Sequence, residues 1–171
     1  MARPSLRVTT PVGALLAQLD QAYDRRSWHG TNLRGSLRGV SAAQAAWRPG
    51  VGRHNIWEIA LHAAYWKYAV WRRLTGEPRG SFAVDGSNWF DRPGDGPPAA
   101  RERAWRGDLA VLGAAHARLR DTVAALSPAS LARRPPGART TTFDLVSGII
   151  AHDLYHAGQV QLLKRLSPPV S

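Results

Sequence analysis

The chain has 171 residues, with 23 lysines and arginines against 12 aspartates and glutamates, a net charge of +11 and no cysteine. This length suits one domain, expected over residues 1–171, that buries a core unaided, and the missing cysteine excludes disulfide staples, thiolate ligands and a cysteine nucleophile. Lysine occurs only at Lys67 and Lys164 and the arginines recur from Arg3 to Arg165 without a dense block, so the charge reads as a solvated basic surface and argues against a nucleic-acid groove.

Four segments carry helical periodicity, separated by stretches rich in proline, glycine and serine. The first opens at Thr10-Pro11, a cap residue followed by proline at the first helical position, and turns Leu15, Leu16, Leu19, Ala22 and Tyr23 inward. It is expected to end near Gly39. A connection from Ser41 to Arg53 leads to Asn55-Ile56-Trp57-Glu58, where asparagine caps and glutamate closes a capping box. The second helix runs from there to about Thr75 and is stopped by Gly76 and Pro78.

Residues Glu77 to Pro98 lack sustained periodicity and read as a long loop anchored by Trp89-Phe90. The third helix follows, with Trp105, Leu109, Leu112, His116, Leu119, Val123 and Leu126 at strict 4-3 spacing, and ends at Ser127-Pro128. The run Thr141-Thr142-Phe143-Asp144 has capping-box spacing and starts the fourth helix, which Ser167-Pro168-Pro169 breaks. No segment alternates as a half-buried strand does, so the expected fold is all-α, a four-helix bundle. The second helix is apolar nearly all round, through Ile56, Trp57, Ile59, Leu61, Trp66, Val70 and Trp71, and a surplus apolar face suggests a homodimer.

Chemistry concentrates on the fourth helix. Its inward stripe reads Leu145, Ile149, His152, His156, Gln159, Leu163 and Leu166, three successive core positions being polar. Leaving such groups unpartnered costs about 1–3 kcal/mol each, and a divalent cation would satisfy them. One His-x-x-x-His pair balances evenly between metal ligation and packing. On the second helix, Ile59, His62, Trp66 and Ala69 share the inward spacing, and a third histidine on another stripe turns the balance toward metal. Three imidazoles leave a coordination position open, as catalytic sites do.

At about 1.5 Å of rise per residue, His62 comes level with His152 and His156 if the start of the second helix and the end of the fourth share one end of the bundle. A Glu77–Pro98 loop that crosses the bundle makes helices two and three parallel and leaves His116 a core histidine. In a simple up-and-down bundle His116 would instead come level as a fourth ligand. The long loop favours the crossing. Near helix ends, His29 and His54 read as solvated, and Glu58 as a cap. Asp153, a quarter-turn off the histidine face, supports a ligand or lies on the surface with equal weight. Gln159 could orient His156 or hold a water, Gly158 permits a close helix contact, Tyr155 flanks the stripe, and Trp57, Trp66 and Trp71 read as core or interface.

Ile56-Trp57-Glu58-Ile59-Ala60-Leu61-His62, together with His152-Asp153-Leu154-Tyr155-His156-Ala157-Gly158-Gln159 followed by Leu163 and Arg165, resembles the DinB/YfiT-like metalloenzyme superfamily, the damage-inducible family and not the DNA polymerase that shares the name. The resemblance covers most of the chain. It implies an up-down-down-up bundle, often dimeric, with His62, His152 and His156 as ligands of nickel or zinc. Characterised members of that superfamily include S-transferases that use a low-molecular-weight thiol, bacillithiol or mycothiol, and an isomerase. A thiol-dependent transferase acting on small electrophiles in stress or detoxification is therefore the expected function. The alternatives are a metal-dependent hydrolase and a non-catalytic stress-response module that keeps the metal for stability. No apolar run approaches the roughly 20 residues that span a bilayer, and Met1-Ala2-Arg3-Pro4-Ser5 lacks the apolar core of a signal peptide, so a soluble, cytoplasmic protein is expected.

Overall fold

In the computed structural model, which describes residues 10–92 and 96–168, the Thr10 hydroxyl accepts from the Gly13 N–H at 3.0 Å and starts α1, Pro11–Tyr23. Met1 to Ser5 and Pro169 lie outside the described residues. The first helix is shorter than the periodicity predicts: it stops at Tyr23 and not near Gly39. The backbone turns at Asp24, and Gly30 adopts a φ of 102°, a region open to glycine at little cost. Asn32 then caps a separate short helix, α2 (Leu33–Leu37), through Gly35, while its amide donates to the Arg25 carbonyl at 2.8 Å and closes the loop on itself. The connection from Ser41 holds a further short helix, α3 (Ala42–Ala46), capped by the Ser41 hydroxyl.

The other boundaries follow local chemistry. Asn55 and Glu58 form the expected capping box at the head of α4 (Ile56–Thr75), which ends on Gly76 at a φ of 79°. Helix α5 (Pro98–Ala124) begins with proline in its first turn, and a 3₁₀ turn at Pro128–Ser130, capped by Ser127, follows it. Thr141 and Asp144 make the second capping box and launch α6 (Thr142–Leu166). Among the described residues there are six α-helices and no strand.

Four long helices, α1, α4, α5 and α6, form an arrangement compatible with a bundle, in which α4 lies against α5 and α6, and α1 against the same two. The Trp57 ring sits 5.2 Å from the Trp105 ring, and the Arg118 guanidinium lies 4.6 Å over the Trp71 ring. The wide apolar surface of α4 is largely consumed inside the chain: Ile56, Trp57, Ile59, Leu61 and Val70 are all buried, with Trp66 and Trp71 partly so. Each fully buried aliphatic side chain of this size stabilises the fold by roughly 1.5–3 kcal/mol over its exposed state. The buried indoles keep polar partners, Trp57 Nε1–H donating to Asp108 at 2.6 Å and Trp105 Nε1–H to the Val40 carbonyl at 2.8 Å. On α6, Leu145, Ile149, His156 and Leu163 face inward as the spacing predicts, but Leu166, at the last turn, is 56% exposed.

Candidate metal centre

His62 projects from the second turn of α4, and His152 and His156 from successive turns of α6; the ligand atoms of all three lie within 4.8 Å of one another. His62 Nε2 and His156 Nε2 each stand 3.1 Å from His152 Nε2. The outer nitrogens decide the tautomers. His62 Nδ1 is 2.8 Å from the Asn88 carbonyl and His156 Nδ1 is 2.7 Å from Gln159 Oε1, both acceptors, so each Nδ1 carries the proton and each Nε2 turns a lone pair to the centre. His152 Nδ1 is buried without a partner among the described residues. A proton on His152 Nε2 satisfies one of the two 3.1 Å contacts and leaves the other as opposed lone pairs.

A divalent cation satisfies both. Imidazole nitrogens at about 2.0–2.1 Å from zinc stand about 3.3 Å apart in a tetrahedron, or about 2.9 Å apart at right angles, which brackets the 3.1 Å observed. Protonation also favours ligation. Burial pushes His152 down to about 3 and His156 to about 4, and lowers His62 as well, so all three stay neutral near pH 7, the form that binds metal. The residues present fit a divalent ion by donor type, spacing and charge state.

The triad floors an open cleft of about 640 Å³, within the range of small-molecule sites. Trp89, from the long loop, covers one side and stacks between His62, at 3.9 Å, and His54, at 3.5 Å. His54 is therefore not simply solvated: its Nδ1 pairs with Glu58 at 2.9 Å. Glu58 keeps its capping role and also binds Arg48, its carboxyl held below the usual range because these hydrogen bonds outweigh the burial that raises it. Tyr155 is largely exposed at the rim, and Gln159 orients His156. His116 is buried away from the triad, stacked on Tyr23 at 3.7 Å.

Asp153 lies neither on the surface nor against a histidine. It is fully buried and forms an ion pair with Lys67 of α4, because α6 is covered on that flank by α1 as well as α4. Two further groups escape the periodicity argument. Asn88 holds His62 through its carbonyl and Trp66 Nε1–H through its side chain at 2.9 Å, with a φ of 63° that few residues other than glycine adopt. Trp89 carries a site wall as well as anchoring the loop, while Phe90 is buried in the core. A loop residue with an unusual φ leaves no periodic signal. The tryptophan was visible as an anchor and invisible as a wall.

No helix among the described residues is long and apolar enough to cross a membrane. Neither the curated proteins nor the solved structures yield a match to this chain. The profile of the DinB superfamily, in contrast, matches residues 25–160, from the loop after α1 through both helices that carry the histidine triad. The chain belongs to the DinB superfamily.

Proposed function

We propose that the chain is a metal-dependent S-transferase, in which His62, His152 and His156 hold a divalent ion, nickel or zinc, and a low-molecular-weight thiol is joined to a small electrophile. The observation that carries this reading is the convergence of three neutral imidazole nitrogens on the floor of an open cleft. Three uncharged ligands leave the ion's charge uncompensated and positions free for a substrate. When bound, the ion supplies Lewis acidity that lowers the pKa of a coordinating thiol.

The chain's own residues do the rest. Asn88 and Gln159 keep His62 and His156 turned inward. Leu162, Leu163, Ile59 and Trp89 give the cleft an apolar wall against which a carbon skeleton packs and from which water is excluded. The thiol proton passes to solvent at the open mouth of the cleft, while the new S–C bond forms and the electrophile's leaving group departs. The chain has no cysteine, so the thiol comes from outside it.

Among the described residues no carboxylate lines the cleft, Glu58 is committed to Arg48 and His54, and Trp89 stacks between His54 and the triad; this disfavours the hydrolase reading, which needs a base beside an attacking water. The up-down-down-up topology belongs to the same proposal. It is supported by the pairing of Trp57 with Trp105 and of Trp71 with Arg118, successive along both α4 and α5. A dimeric, stress-related protein is likewise part of the proposal, through the family.

The test is elemental analysis of untagged protein beside His152→Ala, followed by thiol-dependent consumption of monochlorobimane. About one ion per chain, lost in the variant, with turnover that needs both ion and thiol, supports the transferase. Metal without turnover points to the non-catalytic module, and ester or amide turnover without thiol to the hydrolase.

A further inference from the structure

A groove of about 1370 Å³, larger than the histidine cleft, lies between the end of α1, the Arg25–Val40 segment and α5, and it shares no residue with that cleft. Arginines scattered along the sequence line it, Arg25, Arg26, Arg34 and Arg38 from one wall and Arg106 and Arg120 from the other, and they outnumber the carboxylates Asp20, Asp24 and Glu102 that line it with them. The even spread of arginine along the chain thus conceals a local concentration made by the fold.

The site has a fixed part and an available part. Arg120 is held by a two-pronged ion pair to Asp20, at 2.6 and 2.9 Å, and Arg34 by Asp24 at 3.3 Å. Arg26, Arg38 and Arg106 form no ion pair among the described residues, Arg106 donating only its Nε–H to the Glu102 backbone carbonyl at 3.4 Å, so their charge is uncompensated by a direct partner. The floor carries His116, only 5% exposed, stacked on Tyr23. Its Nδ1 is buried without a partner among the described residues. An unpartnered buried N–H is costlier than an unpartnered lone pair, which puts the ring proton on Nε2. On the loop whose Ser27 and Gly30 line the groove, Trp28 does not itself line it but is 99% exposed, a large apolar ring turned to solvent.

We infer that this groove is a second ligand site, for a small organic phosphate that carries a planar ring. The guanidinium fork matches phosphate oxygens two at a time, and binding here needs no proton transfer and no metal. His116 adds a neutral donor at the floor. Trp28 offers a face for the ring, with Arg26 two residues away on the same loop. A carboxylate would use fewer of the donors present, and inorganic phosphate would leave Trp28 idle.

Calorimetric titration of the full chain with phenyl phosphate at low ionic strength tests the site. Saturable binding is expected, weakened at least tenfold in Arg38→Ser/Arg106→Ser, both exposed positions whose loss leaves the core intact. Trp28→Ala should weaken phenyl phosphate more than inorganic phosphate, and His152→Ala should bind as the parent does, which separates this site from the metal centre. Absence of saturable heat at millimolar phenyl phosphate, or equal binding by the double-serine variant, overturns the inference. Hundredfold tighter binding of decathymidylate, lost in the same variant, also overturns it and makes the groove a single-strand surface.

Discussion

Lys67 and Asp153 form an ion pair across α4 and α6 through Asp153 Oδ2 with neither side chain exposed to solvent, and among the described residues Asp153 Oδ1 has no hydrogen-bond partner. Burial pushes the lysine down and the aspartate up, each opposed by attraction to the other. A pair so placed stabilises little against an apolar replacement, yet losing one partner strands a charge in the core. Lys67→Met is expected to destabilise the fold by about 3–5 kcal/mol, and Lys67→Met/Asp153→Leu to recover most of that. Urea unfolding of both variants decides it: a double variant as unstable as the single one would mean that the pair itself, and not the stranded carboxylate, carries the stability.

The Asn88 carbonyl and the Gln159 side chain hold the outer nitrogens of two triad histidines. Partners of this kind typically govern metal affinity by about 10–100-fold. Gln159→Leu should therefore weaken metal binding within that range, measured by competition with a chromogenic chelator. At Asn88 the contact is made by the backbone at a φ of 63°, so the effect depends on the replacement. Asn88→Ala strains the loop and should lose affinity; Asn88→Gly accepts the same φ and should retain more. Equal losses would assign the effect to Trp66, which both variants deprive of its acceptor.

What the sequence exposes and what it conceals divides along range. The caps at Asn55 with Glu58 and at Thr141 with Asp144 rest on contacts three residues apart, so they can be read directly. The histidine cluster is legible because three side chains sit on inward stripes of two long helices. Asp153 is not, because helical spacing describes one buried face, whereas α6 is flanked by both α1 and α4, and its partner Lys67 is 86 residues away. The early end of α1 has local signals in Gly30, at positive φ, and Asn32, which caps the separate helix α2. The arginine groove needed the fold itself, since Arg34 and Arg120 meet only when α5 lies beside the loop after α1.

His116 gives the fold a specific response to acid. Its burial, reinforced by the charge of Lys67, pushes it down to about 3, whereas an unfolded histidine titrates near about 6.5. Between those values the unfolded chain binds a proton that the folded chain refuses, so stability falls as pH drops from about 6.5 toward 3 and is unaffected above 6.5. His116→Phe keeps the stack on Tyr23 without the titrating group. Its slope of stability against pH should be shallower by up to about 1.4 kcal/mol per pH unit in that window. Urea midpoints of parent and variant at about pH 4.5 and about pH 7.5 measure this; a difference that stays constant between the two would remove His116 from the linkage.

An ion held only by the folded triad must also stabilise the fold. Three ligands drawn from α4 and α6 are brought together by packing, so the unfolded chain binds the ion far more weakly, and stabilisation follows the ratio of free ion to its dissociation constant. At a hundredfold excess over that constant the gain is about 2.7 kcal/mol, which for a chain of this length raises Tm by roughly 5–10 °C. The rise should continue by a fixed increment with each further tenfold of nickel or zinc, should vanish with chelator, and should be absent in His62→Ala, His152→Ala and His156→Ala. His116→Ala is less stable at the start but should keep the full increment, because it lies outside the triad. A parent protein whose Tm ignores the ion at every concentration would reduce the three histidines to a packing feature, and the opposed lone pairs at 3.1 Å would then have to be relieved by a proton on His152 and a shift of one neighbouring ring.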